Sequence, residues 1–392
     1  MIQAIEQMIE EHFPEMVDIR RYLHEHPELS FQEYETANYI ASYYDTLGIP
    51  YERNVGGNGI IATLQGGKPG KTVAFRADFD ALPIQDEKDV PYKSKNDGVM
   101  HACGHDGHTA TLLVLAKVLK QFSALLPGTV VFLHQHAEEQ TPGGAISIVE
   151  SGKLNDVDVI FGNHLWATSP LGVVETRSGV FMAGTDRFTI EIKGKGGHGA
   201  YPHETKDALV IGASLVNELQ QIVSRRMNPL ETAVVTVGKF TAGTSFNVIA
   251  DKAEMIGTVR YLNKDVQQQI RNDMEQIVKG VCATHGVDYE FTYAPGYPPV
   301  VNHEQETNLL LEAAKEVDAV KKAVVVQPQM GGEDFAYYVQ RIPGVFFFTG
   351  AKKEDSPYPH HHALFDFDES AMTIAAKIFV RTLFRYQRTY NS

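Results

Sequence analysis

The sequence predicts an α/β protein: a mostly parallel sheet flanked by helices, interrupted by an inserted α+β unit. Three observations carry that expectation. Short apolar runs at 72–75, 128–133, 157–161 and 344–349 alternate with longer helical patterns, the texture of strands covered on both faces. Carboxylates, a thiol and histidines recur just after these runs, at the strand ends where open α/β sheets place their ligand crevice. From about Met182 the pattern changes to strictly alternating strands. At 392 residues the chain also exceeds what one core usually organises.

In order, the first segment to about Leu47 is helical, with Ile5, Met8, Ile9, Phe13, Met16 and Val17 on one face. Pro27 stops that helix and residues 33–44 resume one. His24 and His26 lie just before the stop and are read as capping or loop residues, with a ligand role as the alternative. The run 72–75 is a buried strand delivering Arg76, Asp78 and Asp80 just past its end. Next comes His101-Ala102-Cys103-Gly104-His105-Asp106-Gly107-His108, four soft donors in one short stretch. It is placed in the loop feeding a helix at 109–122, whose first N–H groups stabilise a thiolate. Cys103 and His105, two apart, project to one side of an extended segment, and a thiolate with an imidazole suits a borderline-soft ion such as zinc. A surface loop that merely carries histidines is the alternative. The strand 128–133 leads to His134-Gln135-His136-Ala137-Glu138-Glu139, and the strand 157–161 to Gly162-Asn163-His164.

In the middle of the chain Phe188, Ile190 and Ile192 alternate, marking a half-buried strand at 187–193. A glycine-rich loop carrying His198 follows, then a helix at 207–224, strands at 233–240 and 252–262, a helix at 265–285 and a strand at 287–293. The order β-α-β-β-α-β is the ferredoxin-like split arrangement and is complete in itself. Residues 182–295 are therefore read as an inserted domain, with 1–181 and 296–392 as the two parts of the main domain. Pro295-Gly296-Tyr297-Pro298-Pro299 is the return linker. Beyond it lie a helix at 304–317, a strand at 323–326, a helix from about 334, the strand 344–349, the run His360-His361-His362 and a final helix from near 369.

Composition narrows the function. A net charge of -14 argues against nucleic acid or an anionic membrane surface as partner. Residues 1–13 hold no lysine or arginine, so the basic start of a signal peptide is missing. No apolar run approaches the ~20 residues of a membrane span, and the mean hydropathy of -0.21 fits a soluble chain. Cys103 and Cys282 alone cannot build a disulfide framework. A cytoplasmic location is the expectation.

Seven motifs follow one another: Arg-Tyr-Leu-His-Glu-His-Pro-Glu-Leu-Ser (21–30), Phe-Arg-Ala-Asp-Phe-Asp-Ala-Leu-Pro (75–83), His-Ala-Cys-Gly-His-Asp-Gly-His (101–108), Ala-Glu-Glu (137–139), Gly-Asn-His (162–164), Gly-Gly-His-Gly-Ala-Tyr-Pro-His (196–203) and Gly-Gly-Glu-Asp-Phe (331–335). In that order they resemble the aminoacylase/carboxypeptidase metallohydrolases, in the branch of hippurate hydrolases and indole-acetyl-amino-acid hydrolases. The resemblance spans essentially the whole chain. It implies a metallopeptidase-like catalytic domain, an inserted lid or dimerisation domain, and two divalent ions per subunit, zinc or manganese ahead of nickel or cobalt. The implied ligands are Cys103 as a bridge, His105, Glu139, His164 and one histidine of 360–362. Counting back from Phe365 selects His361; Ala363 stands where the family has proline, so His360 and His362 stay open. His136 and Gly332 also depart from the family, which has proline and serine there; His136 is read as a packed strand-end side chain.

The chemistry asks for the same set. Paired ions ~3.5–4 Å apart activate water and polarise a carbonyl, and a carboxylate must move the proton. Glu138, beside Glu139, is the candidate general acid/base, and Asp80 the carboxylate that orients a ligating histidine. By resemblance, His198 supports the oxyanion, and Asn247 and Arg260 face the substrate, Arg260 holding its α-carboxylate. The same resemblance implies a homodimer through the inserted domain, with His198 completing the partner's site. The reading is hydrolysis of an N-acyl amino acid to a carboxylate and a free amino acid by metal-activated water. A dipeptidase or carboxypeptidase of the same family is the alternative, disfavoured by Cys103 where those relatives carry Asp. From other classes stand an amidase with Cys103 as nucleophile and His105 as base, and a non-catalytic metal-binding protein.

Overall fold

The structure is a computed structural model describing residues 1–390, and the chain divides into two compact units. Helices α1 (Ile2–Glu11), α2 (Phe13–Glu25) and α3 (Tyr34–Leu47) precede strands β1 (Tyr51–Val55), β2 (Gly59–Gln65) and β3 (Lys68–Asp78). Then come α4 (His105–Gln121), β4 (Pro127–Gln135), α5 (Gly144–Glu150), β5 (Val159–Trp166), β6 (Val173–Thr176) and β7 (Gly179–Met182). The middle of the chain forms β8 (Gly184–Lys193), β9 (Gly197–His198), α6 (Ala208–Gln221), β10 (Ala233–Ala242), β11 (Val248–Ile249), β12 (Lys252–Tyr261), α7 (Lys264–His285) and β13 (Asp288–Pro295). The return supplies β14 (Val300–Asn302), α8 (Glu304–Ala314), β15 (Lys322–Val325), α9 (Ala336–Val339), β16 (Gly344–Gly350) and α10 (Ala371–Tyr390).

The first unit is built on an eight-stranded sheet in the order β1-β2-β4-β3-β5-β16-β6-β15. Its centre is parallel, with β3 pairing β4 and β5, and β5 pairing β16. Their C-terminal ends therefore lie along one edge. Phe75, Phe132, Phe161 and Phe347 from these strands are fully buried against Leu113 of α4 and Phe379 of α10, a burial worth roughly 1.5–3 kcal/mol per large side chain. Nearly every residue of α4 is buried. A helix so enclosed is a rigid base for whatever its first turn presents.

The second unit holds a four-stranded antiparallel sheet in the order β10-β12-β8-β13, with α6 and α7 packed on it around Phe188, Ile190, Met255 and Ile270. Asp207 caps α6 through the N–H groups of Leu209 and Val210, and Asn263 caps α7 through that of Val266. This unit runs from Met182 to Pro299 and takes in Gln329–Glu333 as well. The latter segment belongs there because the Ala183 N–H donates to the carbonyls of Gln329 and Gly331. The linker expected at 295–299 is thus part of the unit.

Other expectations shift. The strand read at 72–75 extends to Asp78, so Arg76 and Asp78 lie on β3 itself, and Gly162, Asn163 and His164 likewise lie on β5. The helix expected from Thr109 begins at His105, which places His105 to His108 in its first turn. Strands β1 and β2, an antiparallel pair turning at Gly56 and Gly57, were not anticipated, nor were β6 and β7. The expectation for His24 is also corrected: it is a fully buried residue of α2 bonded to Asp106, not a loop or cap residue.

Candidate metal centre

The edge formed by the ends of β3, β4 and β5 gathers the polar side chains. Gly104 precedes α4 at φ 95, a left-handed conformation that a residue with a Cβ adopts at a cost. It turns the chain so that Cys103, just before the helix, and His105, its first residue, face one site. Gly107 lets the turn pack closely, since a Cβ there would meet the Phe367 ring at 2.5 Å.

Cys103 Sγ lies 3.3 Å from His164 Nε2. His164 donates Nδ1–H to the Leu165 carbonyl at 3.0 Å, a tautomer that leaves the Nε2 lone pair facing the thiol. His105 repeats the arrangement. Its Nδ1 sits 3.0 Å from the Asp80 carbonyl and 3.2 Å from Asp80 Oδ1, which leaves Nε2 buried without a hydrogen-bond partner. Glu139 Oε1 is also buried and unbonded. His361 Nε2 comes within 3.3 Å of that oxygen, and the nearby Glu139 carboxylate raises the His361 imidazole. His361 is held by its N–H on the Ala102 carbonyl, at φ 65.

Donor atoms of Cys103, His105 and His164 lie within 4.8 Å of one another, as do those of Cys103, Glu139 and His361, and those of His105, Glu138 and Glu139. Cys103 belongs to the first two groups, as a bridging ligand would. Unbonded buried donors converging in this way are costly unless something joins them, and thiolate, imidazole and carboxylate together suit a divalent ion of borderline softness. The residues fit two such ions.

The electrostatics point the same way. Burial, then Glu139, Glu138 and Asp78, push the Cys103 thiol well above its usual range. Burial opposes charge on His105, but Asp78, Asp80 and Glu139 outweigh it and raise the imidazole to about 10. Carboxylates thus dominate the field at both Cys103 and His105. Burial keeps His164 neutral, well below its ordinary value.

Geometry also separates donors that sequence spacing could not. His108 donates Nδ1–H to Asp78 Oδ1 at 2.6 Å and accepts the Leu165 N–H on Nε2 at 2.9 Å, so both of its nitrogens are spent. Asp78 is committed to His108 and to Arg76 Nη1 at 2.6 Å. His360 is half-buried against Trp166 and accepts the Ala167 N–H on Nε2, its Nδ1 lying without a hydrogen-bond partner, and His362 stacks on Tyr358. Of the three histidines at 360–362, His361 alone meets Glu139 in the described ion pairs. His136 is buried, its ring in a T-shaped contact with Phe31.

Glu138 is buried beside Glu139. Asp80 reaches past His105: its Oδ2 accepts Ser30 Oγ–H at 2.6 Å and the Glu139 N–H at 2.9 Å. Ser30 was in a recognised motif, but neither it nor Glu33, whose carboxylate binds the Ala137 N–H, was singled out as part of the site. No local pattern marks a side chain that serves a distant backbone.

The remaining predicted residues belong to the second unit. His198 lies on β9, opposite Val248, exposed, its Nδ1 accepting the Ala200 N–H at 3.0 Å. Asn247 is exposed beside it, its carbonyl accepting the Gly199 N–H. Arg260 lies half-buried on β12, bonded to the Val259 carbonyl at 3.0 Å and to Thr258.

Comparison with known proteins decides the family. Residues 74–385 match the model of peptidase family M20/M25/M40. The chain belongs to this family. It is thus an M20-family hydrolase. YhaA of Bacillus subtilis (strain 168) is 56% identical over 378 residues, 96% of each chain. An N-acyl-L-amino acid amidohydrolase of Geobacillus stearothermophilus is 46% identical over 303 residues, covering 77% of this chain and 82% of the relative. Among solved structures, the Bacillus subtilis YXEP protein, described as a dinuclear metal-binding peptidase of the M20 family, superposes with a TM-score of 0.83 at 38% identity, over 97% of this chain and 99% of that one.

Proposed function

We propose that this M20-family hydrolase is a metal-dependent amidohydrolase cleaving N-acyl amino acids to a carboxylate and a free amino acid. The observation that carries the reading is the convergence of Cys103, His105, Glu139, His164 and His361, with buried unbonded donors, beside a further carboxylate, Glu138. The name of the Geobacillus relative, an N-acyl-L-amino acid amidohydrolase, supports the substrate class.

Cys103, His105, Glu139, His164 and His361 would hold two divalent ions, Cys103 being the donor common to both groups. The chemistry such ions supply is activation of water at neutral pH and polarisation of the scissile carbonyl. Glu138 takes the proton of the attacking water on its carboxylate and returns it to the departing amine nitrogen. Asp80 fixes the His105 tautomer through Nδ1. His198 supports the developing oxyanion, and Asn247 and Arg260 bind the substrate, the guanidinium pairing with its α-carboxylate. A cysteine nucleophile is disfavoured: the thiol is raised, not lowered, and its close imidazole is His164, not the neighbouring His105.

The test strips metal with a chelator, verifies its removal by elemental analysis, and assays N-acetyl amino acids, N-benzoyl amino acids and dipeptides before and after adding zinc, manganese, cobalt or nickel. Hydrolysis should vanish with the metal and return with it, fastest on N-acyl amino acids. Full turnover by metal-free protein would sink the two-ion reading, and a preference for dipeptides would move the chain to the peptidase alternative.

A further inference from the structure

We propose that Glu33 is a positioning residue that presents Glu138 to the substrate by holding Ala137 in a left-handed turn; this rests on the acid/base role given to Glu138 above. Strand β4 ends at Gln135, so the N–H groups just beyond it lose their ladder partners and must be satisfied otherwise. Two carboxylates from other parts of the unit do so. Glu33 Oε1 accepts the Ala137 N–H at 2.9 Å, and Asp80 Oδ2 accepts the Glu139 N–H at 2.9 Å. Glu138 lies between these two pinned positions.

The turn is one the chain would not choose. Ala137 has φ 51 and is fully buried, in a region that costs a residue with a Cβ strain. Its carbonyl accepts the Gly144 N–H at 3.0 Å, which closes the turn on its other side. Glu33 is itself fixed: it is fully buried, Oε1 also takes the Phe31 N–H at 2.8 Å, and Oε2 takes Asn58 Nδ2–H at 2.9 Å. One oxygen thus ties together two left-handed residues, Phe31 at φ 67 and Ala137. Glu139 has its own anchor in Asp80, so loosening Glu33 frees Glu138 without releasing the neighbouring ligand. A proton shuttle displaced by about 1 Å forfeits on the order of 10²-fold in rate.

The experiment compares kcat, KM, metal content and thermal midpoint of the metal-loaded protein and its variants on one N-acyl amino acid. Glu33→Ala should lower kcat on the order of 10²-fold, leaving KM within a few-fold and bound metal at the wild-type level. Adding Ala137→Gly, which takes positive φ without a Cβ penalty, should return about tenfold of that loss. Glu33→Gln keeps an oxygen for the two N–H groups and should retain most of the activity. If Glu33→Ala does not fold, Glu33→Asp, too short to reach Ala137, replaces it with the same expectations. Wild-type kcat in the Ala or Asp variant overturns the proposal. So does a loss that Ala137→Gly fails to repair, or one that comes with lost metal, because a merely structural role behaves that way. Glu138→Gln is assayed alongside: full turnover there refutes the acid/base reading, whereas its inactivity beside an unimpaired Glu33→Ala refutes only the positioning.

Discussion

Replacing Arg20 by methionine tests how the first turn of α4 is held. The Arg20 guanidinium is fully buried, with Nε 2.9 Å from Asp106 Oδ2, Nη2 2.8 Å from Asp366 Oδ1 and Nη1 3.1 Å from Glu369 Oε1. It lies between the rings of Tyr92 and Phe367, 4.8 and 4.5 Å from their centroids. Methionine keeps much of the apolar stem and removes the charge. Breaking a buried pair by deleting one partner costs about 3–5 kcal/mol. Asp106 keeps His24, and Asp366 keeps Lys353 and Tyr92, so the low end, about 3 kcal/mol, applies. At roughly 2–4 °C per kcal/mol for a unit of this size, the thermal midpoint should fall by roughly 6–12 °C at pH 7. The pH dependence has a definite sign. Burial raises the Asp366 carboxyl, but Arg20 and Lys353 prevail and hold it at about 2; Asp106 is held lower still, chiefly by Arg20 against its burial. Stability from such depressed carboxyls is present above their unfolded pKa of about 3.9 and disappears as pH falls through the folded values. The gap between wild type and variant should therefore narrow between about pH 4 and pH 2. Calorimetric melts across that range read both effects. A loss under about 1 kcal/mol, the scale of an exposed pair, or a gap that widens in acid, would refute the reasoning.

Other expectations concern the site itself. Glu138→Gln should keep bound metal at the wild-type level while turnover falls by about 10²–10⁴-fold; parallel loss of metal, measured by elemental analysis, would make Glu138 a ligand. His361→Ala should weaken metal binding by at least the ~10–100-fold that even an outer-shell loss costs. His360→Ala should leave the metal in place and cost about 0.5–3 kcal/mol of stability, as removal of a packed ring does. The reverse order in competition with a chelator would reassign the ligand.

Much of this was legible in the chain. The candidate donors stand out in two ways: Glu139 and His164 close the polar ends of apolar strand runs, and Cys103 and His105 sit in one short motif before a helix, though only the family resemblance singled them out as a ligand set. The second unit's sheet shows because Phe188, Ile190 and Ile192 alternate. What stayed hidden depends on partners far along the sequence. Arg20 and Asp366 are 346 positions apart, and nothing near either announces the other. His108 sits in the same motif as His105 with the same residue type; only its bonds to Asp78 and Leu165 show that its nitrogens are spent. Strand β1, Tyr-Glu-Arg-Asn-Val, has one buried residue, so it lacks the apolar pattern by which strands are recognised. The length of β3 was missed because its polar end is buried by Arg76 bonding Asp78, Gln135 and Asp334, a satisfaction that hydropathy does not register.

The position of β16 has a consequence for biosynthesis. That strand sits between β5 and β6 although almost the whole chain precedes it. On the ribosome, β5 therefore emerges with one flank paired to β3 and the other bare, and stays so while the entire second unit, whose sheet partners are all local to it, is made. A bare central flank is the kind of exposed edge that recruits other chains, and long-range pairings form slowly. His361 follows the end of β16 by eleven residues, so the insertion of that strand and the arrival of the last candidate ligand come close together. On the ligand set proposed above, the centre is completed only when the sheet that carries it is nearly complete.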